Sequence, residues 1–353
     1  MWHKALWMRN YKKGGIVLAL LFIAMVVLVP APIMGVRQQI EWMLEWNSTW
    51  KSISHQFAYT FFVGIPALLV IVLGAVLIGG ERKNQGLDFL MGMTFKRRDI
   101  FLSKWWFGFL HIVLFTLVAT VILFINYRFT NVRDYTAFMP FAQYLWVLFL
   151  VLTSSFTLSL LVGTFTGNTQ SQVLLTCVLA VLPIAIYFLI WGSPLVGLMI
   201  TGPHAREYRL GLFLLDISLV NFFNVRQSFT LAENPVFSTT IIAGELLSGF
   251  PSIPFISAIQ LIYIGISLPL GISLFNRSAN ENNGKILLYK KLEPYYLWVA
   301  VVLSAMFGGT LAGSVLLGTW STYFIGFFIT GIFVYWILSR ILNGRFKNGR
   351  DRA

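Results

Sequence analysis

Long apolar runs recur along this chain of 353 residues, and they constrain its fold more than any other feature. A helix needs about 20 mostly apolar residues to cross the hydrocarbon core of a bilayer. The sequence contains eight such runs: 15–34, 58–79, 105–126, 141–163, 173–191, 254–275, 297–318 and 320–342. They lack the alternation of a membrane β-barrel strand, so the sequence predicts helices. We expect an all-α integral membrane protein with about eight transmembrane helices.

The composition excludes a single soluble domain. Apolar residues make up 57% of the chain and charged residues only 11%, whereas about a quarter of the residues in soluble domains are charged. One soluble core of this size could not bury so much apolar surface. The net charge of +13 would suggest a nucleic-acid partner for a soluble protein. Here the charges lie between apolar runs, so membrane topology explains them and no nucleic-acid partner is expected.

The distribution of Lys and Arg predicts the orientation. With the N-terminus in the cytoplasm, 19 of the 26 basic residues fall in cytoplasmic segments. Such an excess is typical of the cytoplasmic side of a membrane protein. An even number of crossings also places both basic termini on that side. We therefore expect a multi-pass protein of the cell membrane, in contact with the lipid bilayer, with both termini cytoplasmic.

The cytoplasmic segment 81–104 carries apolar residues at helical spacing between charged ends. Leu87, Leu90, Met91 and Thr94 form this pattern, which predicts a short amphipathic helix on the inner face of the membrane. The alternative is a solvated loop whose charges only fix the topology.

Two further segments between the runs are informative. The external segment 192–252 is too long for a simple connector, and its apolar part, 210–223, is too short to span comfortably. It predicts a re-entrant or interfacial segment, with a small external subdomain as the alternative. Segment 1–14 combines Trp and Leu with basic residues and predicts a cytoplasmic interfacial helix. Alternatively, its charges only set the topology of the first span.

Catalytic and metal-binding motifs are absent from the sequence. No G-x-x-x-x-G-K-[ST] motif occurs, so the chain is not expected to bind and hydrolyse ATP by itself. The four histidines are scattered, no C-x-x-C or H-E-x-x-H occurs, and Cys177 is the single cysteine. We expect a non-catalytic chain with no metal and no cofactor of its own.

A few polar residues and glycines lie inside the apolar runs. His111 is expected to pack against a polar neighbour near the inner interface. Ser and Thr residues at 153–159, and the G-x-x-x-G spacing of Gly309 and Gly313 beside Gly308, are typical of close helix packing. A substrate path is the less favoured interpretation of both groups.

Segment 81–104 resembles the cytoplasmic loop between the second and third spans of ABC-2-type transporter permeases. The matching residues, in order, are Glu81, Gly86, Leu87, Phe89, Leu90, Arg97, Arg98, Asp99, Ile100 and Lys104. The family often has a proline after the apolar pair, where this chain has Thr94. That difference concerns the position of the helix break. The basic N-terminus and the long external segment also resemble the six-span core of this family.

The resemblance implies an architecture and a set of partners. Residues 15–275 would form the six-span core, and residues 276–353 would add a cytoplasmic loop, two further spans and a basic tail, as in some Gram-positive bacterial permeases. ATP and Mg²⁺ would bind to a separate ATP-binding cassette ATPase, and a second permease subunit, identical or homologous, would complete the transporter. Segment 81–104 would be the coupling helix. Its expected coupling residues are Glu81, Gly86, Leu87, Leu90, Arg97, Arg98 and Lys104.

Other functions remain open at this point. An ion-coupled secondary transporter would need broken helices, and Pro66, Pro183 and Pro269 could provide them. A membrane sensor or scaffold would bind a ligand through the external segment. The sequence does not name the substrate, although the aromatic-rich external segment suggests an amphipathic peptide, lipid or antibiotic, and an exporter.

Overall fold

The structure is a computed structural model. It describes residues 4–45, 52–56, 60–84, 86, 90, 92, 95–135, 138–191, 226–230, 253–278, 288, 293–315 and 320–350. Within these residues the chain forms ten helices and one pair of short strands. In chain order they are α1 (Lys4–Leu28), α2 (Pro32–Glu45), β1 (Ser52–Gln56), α3 (Thr60–Lys83), α4 (Arg97–Phe129), α5 (Val132–Tyr135), α6 (Met139–Gly163), α7 (Thr169–Trp191), β2 (Arg226–Thr230), α8 (Ile253–Arg277), α9 (Glu293–Val315) and α10 (Trp320–Arg350).

The helical membrane fold is confirmed. Six helices in the described residues are long and apolar enough to cross a membrane. Shorter apolar stretches lie in α7 and α9, at Thr169–Ala180 and Leu297–Ala312. All eight predicted runs lie mainly on helices. The number of eight crossings stays a prediction.

The chain divides into two compact units. The first contains Met1–Ala180 and Asp216–Leu288, and the second contains Val181–Leu215 and Tyr289–Ala353. In the first unit, α6 lies at the centre and packs against α3, α4 and α8. Leu148, Leu152, Phe156 and Leu160 follow one another at four-residue spacing on α6 and are completely buried, as expected for a helix whose ridge packs against a neighbour.

Polar side chains on α6 join it to its neighbours. The Ser154 hydroxyl donates to Oε1 of Gln260 on α8, and the Ser159 hydroxyl donates to the carbonyl of Ile71 on α3 at 2.8 Å. Trp105 Nε1 on α4 donates to Thr157 Oγ1 at 3.0 Å. The predicted packing role of this Ser/Thr group is therefore confirmed.

We expect Ser154→Ala to destabilise the protein by about 1 kcal/mol, because the buried Gln260 carbonyl loses its donor where water is scarce. Thr153→Val is the matched control, since the Thr153 hydroxyl donates to Phe149 O of its own helix. Unfolding of both variants in detergent by SDS titration would measure the difference. Equal stability of the two variants would contradict a contribution from the α6–α8 contact.

In the second unit, α9 and α10 pack closely on each other. A Cβ atom at Gly308 would collide with Thr330, and one at Gly309 would lie 2.9 Å from the ring of Tyr323. The expected packing role of these glycines is confirmed.

Two expectations about the segments outside the spans differ from the structure or lie outside it. Residues 4–14 are not a separate interfacial helix, because α1 continues without a break from Lys4 to Leu28. The basic residues of this part reach towards α3, as described below. In segment 192–252 only β2 is described; it pairs antiparallel with β1, and Ser54 lies opposite Ser228. The predicted re-entrant segment, including 210–223, lies outside the described residues.

Candidate functional site

Charged residues at both ends of segment 81–104 lie on the ends of two long helices. We call the end of the first unit where α1 begins, α3 ends and α4 begins the inner end, because the Lys and Arg distribution predicts that it faces the cytoplasm. Glu81 lies in the last turn of α3, and Arg97, Arg98 and Lys104 lie in α4. Segment 81–104 is therefore not a single helix, since two long helices extend into it from both sides. Gly86 and Leu90 between them are helical, and Leu87 lies outside the described residues.

A buried ion pair joins α3 to α4. Lys104 Nζ lies 2.6 Å from Glu81 Oε2 and donates a second hydrogen bond of 2.6 Å to the carbonyl of Leu77. Each side chain is only 1% exposed. Burial of two charges is costly unless they pair closely and their remaining donors are bonded. This geometry provides a close pair and bonds for two of the three Lys104 donors, and it explains how α3 and α4 can extend beyond the predicted apolar runs.

Two basic residues of α1 approach the same carboxylate. Arg9 Nε donates to Glu81 Oε1 at 3.0 Å, and Lys13 Nζ lies 3.7 Å from that oxygen. Three cationic side chains from two helices thus surround one carboxylate. Unlike Glu81 and Lys104, Arg9 and Lys13 are partly exposed, at 23% and 26%. The network joins α1, α3 and α4 at the inner end.

The segment after α3 is held by the same network. Arg9 Nη2 donates to the carbonyl of Gly86 at 2.6 Å, and a Cβ atom at Gly86 would lie 2.8 Å from that nitrogen. Leu90 is buried in the main hydrophobic cluster. Leu90, one of the expected coupling residues, therefore anchors the segment to the helices. Asn84 and Gly92 are exposed on either side of it.

Arg97 fastens the start of α4 to the end of α8. Its Nη1 donates to the carbonyls of Asn276 at 3.0 Å and Ser278 at 3.1 Å. The last carbonyls of a helix lack partners within the helix, and a cation there also interacts favourably with the helix dipole. Arg98, the next residue, is exposed. The segment between α3 and α4 is therefore connected to α1 at one end and to α8 at the other.

His111 packs against polar neighbours, as expected. Its Nδ1 lies 2.6 Å from the carbonyl of Phe107, and its Nε2 lies 2.7 Å from the hydroxyl of Tyr11 on α1. A carbonyl only accepts, so Nδ1 carries a proton, and in the neutral imidazole Nε2 accepts from Tyr11. This residue adds a second polar contact between α1 and α4.

Most residues of the inner end could be predicted from the sequence, but their contacts could not. Arg9 and Lys13 were not predicted to join this network, because their charges indicated membrane topology or an interfacial helix. Their spacing of four residues, which places them on one side of α1, was the available signal. Among the residues that the structure describes, no His, Cys, Asp and Glu side chains form a group that could hold a metal ion.

Comparisons with known proteins give a consistent result. The family model for ABC-2 family transporter proteins matches residues 11–182. The chain is also 24% identical over 228 residues to a protein of Bacillus subtilis (strain 168) described as "Probable ABC transporter permease YtrC". That alignment covers 63% of this chain and 62% of the relative. The matched family region contains α3, α4 and most of α1, and with them Lys13, Glu81 and Lys104 of the inner-end network, whereas Arg9 lies two residues before the match begins.

Proposed function

We propose that this chain, which matches the ABC-2 family transporter model over residues 11–182, is the membrane-spanning permease subunit of an ATP-binding cassette exporter. The observation that carries the proposal is the segment between α3 and α4. It lies inside the family match and is connected to two other helices at the inner end, α1 and α8. A separate ATPase supplies the energy, since this sequence has no nucleotide-binding loop.

The contacts of the inner end suggest how force is transmitted. An ATPase that pushes on the segment between α3 and α4 moves α1 through Arg9 and α8 through Arg97. Leu90 holds the segment to the hydrophobic cluster, so it moves with the helices. The docking surface then consists of the exposed residues around Leu90, with Arg98 at its edge. This surface is held in position by the inner-end network, through Glu81, Lys104 and Gly86.

Other parts of the proposal rest on the sequence. The Lys and Arg distribution supports cytoplasmic termini in the cell membrane and a docking surface that faces the ATPase. ATP and Mg²⁺ bind to the partner, and a second permease subunit completes the pathway. The aromatic-rich external segment supports export of an amphipathic peptide, lipid or antibiotic.

The structure does not favour the ion-coupled alternative. Pro66 and Pro269, which could break spans, lie inside the continuous helices α3 and α8. Such a transporter binds its ions at discontinuous helices.

Charge reversal at Arg98 tests the docking surface. The tagged chain is purified from its native membrane, and a co-purifying ATP-binding cassette ATPase is identified by mass spectrometry and by ATP hydrolysis. We expect Arg98→Glu to lower the recovery of this ATPase about tenfold, because an exposed cation near the interface becomes an anion.

Arg37→Glu is the matched control, since Arg37 is exposed on α2 and lies on the side predicted to be external. It should retain the ATPase. Equal recovery with Arg98→Glu would contradict the docking surface. Transport by the chain alone in liposomes without nucleotide would overturn the ATPase-driven function itself.

A further inference from the structure

The charges of the inner-end network do not balance. Arg9, Lys13 and Lys104 all lie within 4 Å of the Glu81 carboxylate, so three positive charges face one negative charge. Lys104 is fully enclosed, and its charge is matched by Glu81 at 2.6 Å. The surplus positive charge is therefore carried by the two partly exposed side chains, Arg9 and Lys13, on α1.

An exposed apolar stripe begins on α1 directly after these two cations. Its members, Ile16, Leu20, Ile23 and Val27, are 80%, 49%, 57% and 60% exposed. With 3.6 residues per turn, they lie within about 60° of each other around the helix, and Arg9 falls in the same sector. The opposite face of α1, with Leu18, Leu21 and Met25, is buried.

The length of the stripe matches one leaflet of a bilayer. From Ile16 to Val27 the helix rises about 16 Å, and half of the hydrocarbon core is about 15 Å thick. A stripe of this length, with cations at the predicted cytoplasmic end, has the shape and charge of a phospholipid-binding surface. Anionic lipids are abundant in the cytoplasmic leaflet and attract basic residues close to the membrane.

We propose that Arg9 and Lys13 bind the phosphate of an anionic phospholipid of the inner leaflet, whose acyl chains lie along the stripe from Ile16 to Val27. Arg9 then serves three partners, since Nε and Nη2 bond to Glu81 and Gly86 while the exposed part of the guanidinium faces the phosphate. The lipid balances the network and thereby stabilises the contact of α1 with α3. This inference depends on the predicted orientation but not on ATP-driven transport.

Titration of the purified chain with phosphatidylglycerol tests the inference. Binding to the detergent-solubilised protein is followed by native mass spectrometry, with phosphatidylcholine as the zwitterionic reference. We expect one tightly bound phosphatidylglycerol and an affinity about fivefold lower in Lys13→Gln, because one cation near the phosphate is lost.

Lys96→Gln is the control, because it removes an exposed cation of the inner end outside the proposed site. Its phosphatidylglycerol affinity should not change. Equal losses in Lys13→Gln and Lys96→Gln would overturn the proposal, since they would indicate diffuse attraction to the membrane. Competition by inorganic phosphate would also overturn it, since it would indicate a site for a free anion. Unchanged lipid binding in Lys13→Gln with loss of the co-purifying ATPase would show that the cations face the partner protein instead.

Discussion

Replacement of Glu81 by alanine is expected to destabilise the protein by about 3–5 kcal/mol, because it leaves the buried Lys104 ammonium without its counter-ion. Arg9 loses its carboxylate partner at the same time, but it is partly exposed and can turn towards water or lipid phosphate. The result should be a much smaller free energy of unfolding in SDS titration and a low yield of folded protein from membranes.

A charge-free variant separates the cost of an unpaired charge from the loss of packing. Glu81→Leu with Lys104→Met removes both charges and should recover most of the lost stability, since apolar replacements of buried ion pairs are often neutral or stabilising. Glu41→Ala is the control for an exposed pair, because Arg37 and Glu41 lie at the surface of α2; its effect should stay below about 1 kcal/mol. Similar losses in Glu81→Ala and the double variant would show that the pair acts through packing rather than charge.

The helices could be predicted from the sequence because each one depends on a continuous local run of apolar residues. An apolar run of about 20 residues has few alternatives to a membrane helix, and this is why the eight runs lie mainly on helices. The positions predicted for the ends of α3 and α4 were less accurate. Glu81 and Lys104 were expected at the two ends of one amphipathic cytoplasmic helix, outside the spans. They lie 23 positions apart in the sequence, and only their contact across two helices allows both to be buried.

The residues of the candidate site could be predicted from the sequence, but the contacts between them could not. Family resemblance selected Glu81, Arg97 and Lys104, although it treated them as parts of one coupling helix. The structure shows instead that Arg97 bonds to the last carbonyls of α8, a contact across 179 and 181 positions. Long-range bonds of this kind leave no local pattern in the sequence. The coupling role itself stays a prediction that the Arg98→Glu experiment addresses.

Gly79 and Gly80 are adjacent in α3 and look equivalent in the sequence, but they face different surroundings. A Cβ atom at Gly79 would lie 2.9 Å from both the backbone nitrogen and the Cα atom of Thr169, at the start of α7. At Gly80 the nearest such atom is Thr169 Oγ1 at 3.9 Å, an ordinary contact. We therefore expect Gly79→Ala to destabilise the protein by about 1–3 kcal/mol, because backbone cannot give way as a side chain can.

Gly80→Ala should have the opposite sign, since alanine favours a helix over glycine by up to about 1 kcal/mol and meets no obstacle there. Both variants add one methyl group to neighbouring positions of the same helix, so the difference between their SDS-unfolding free energies measures the α3–α7 contact alone. Because Gly79 lies two residues before Glu81, separation of α3 from α7 should also displace the ion pair. Equal stability of the two variants would contradict the close approach of α3 and α7 at Gly79.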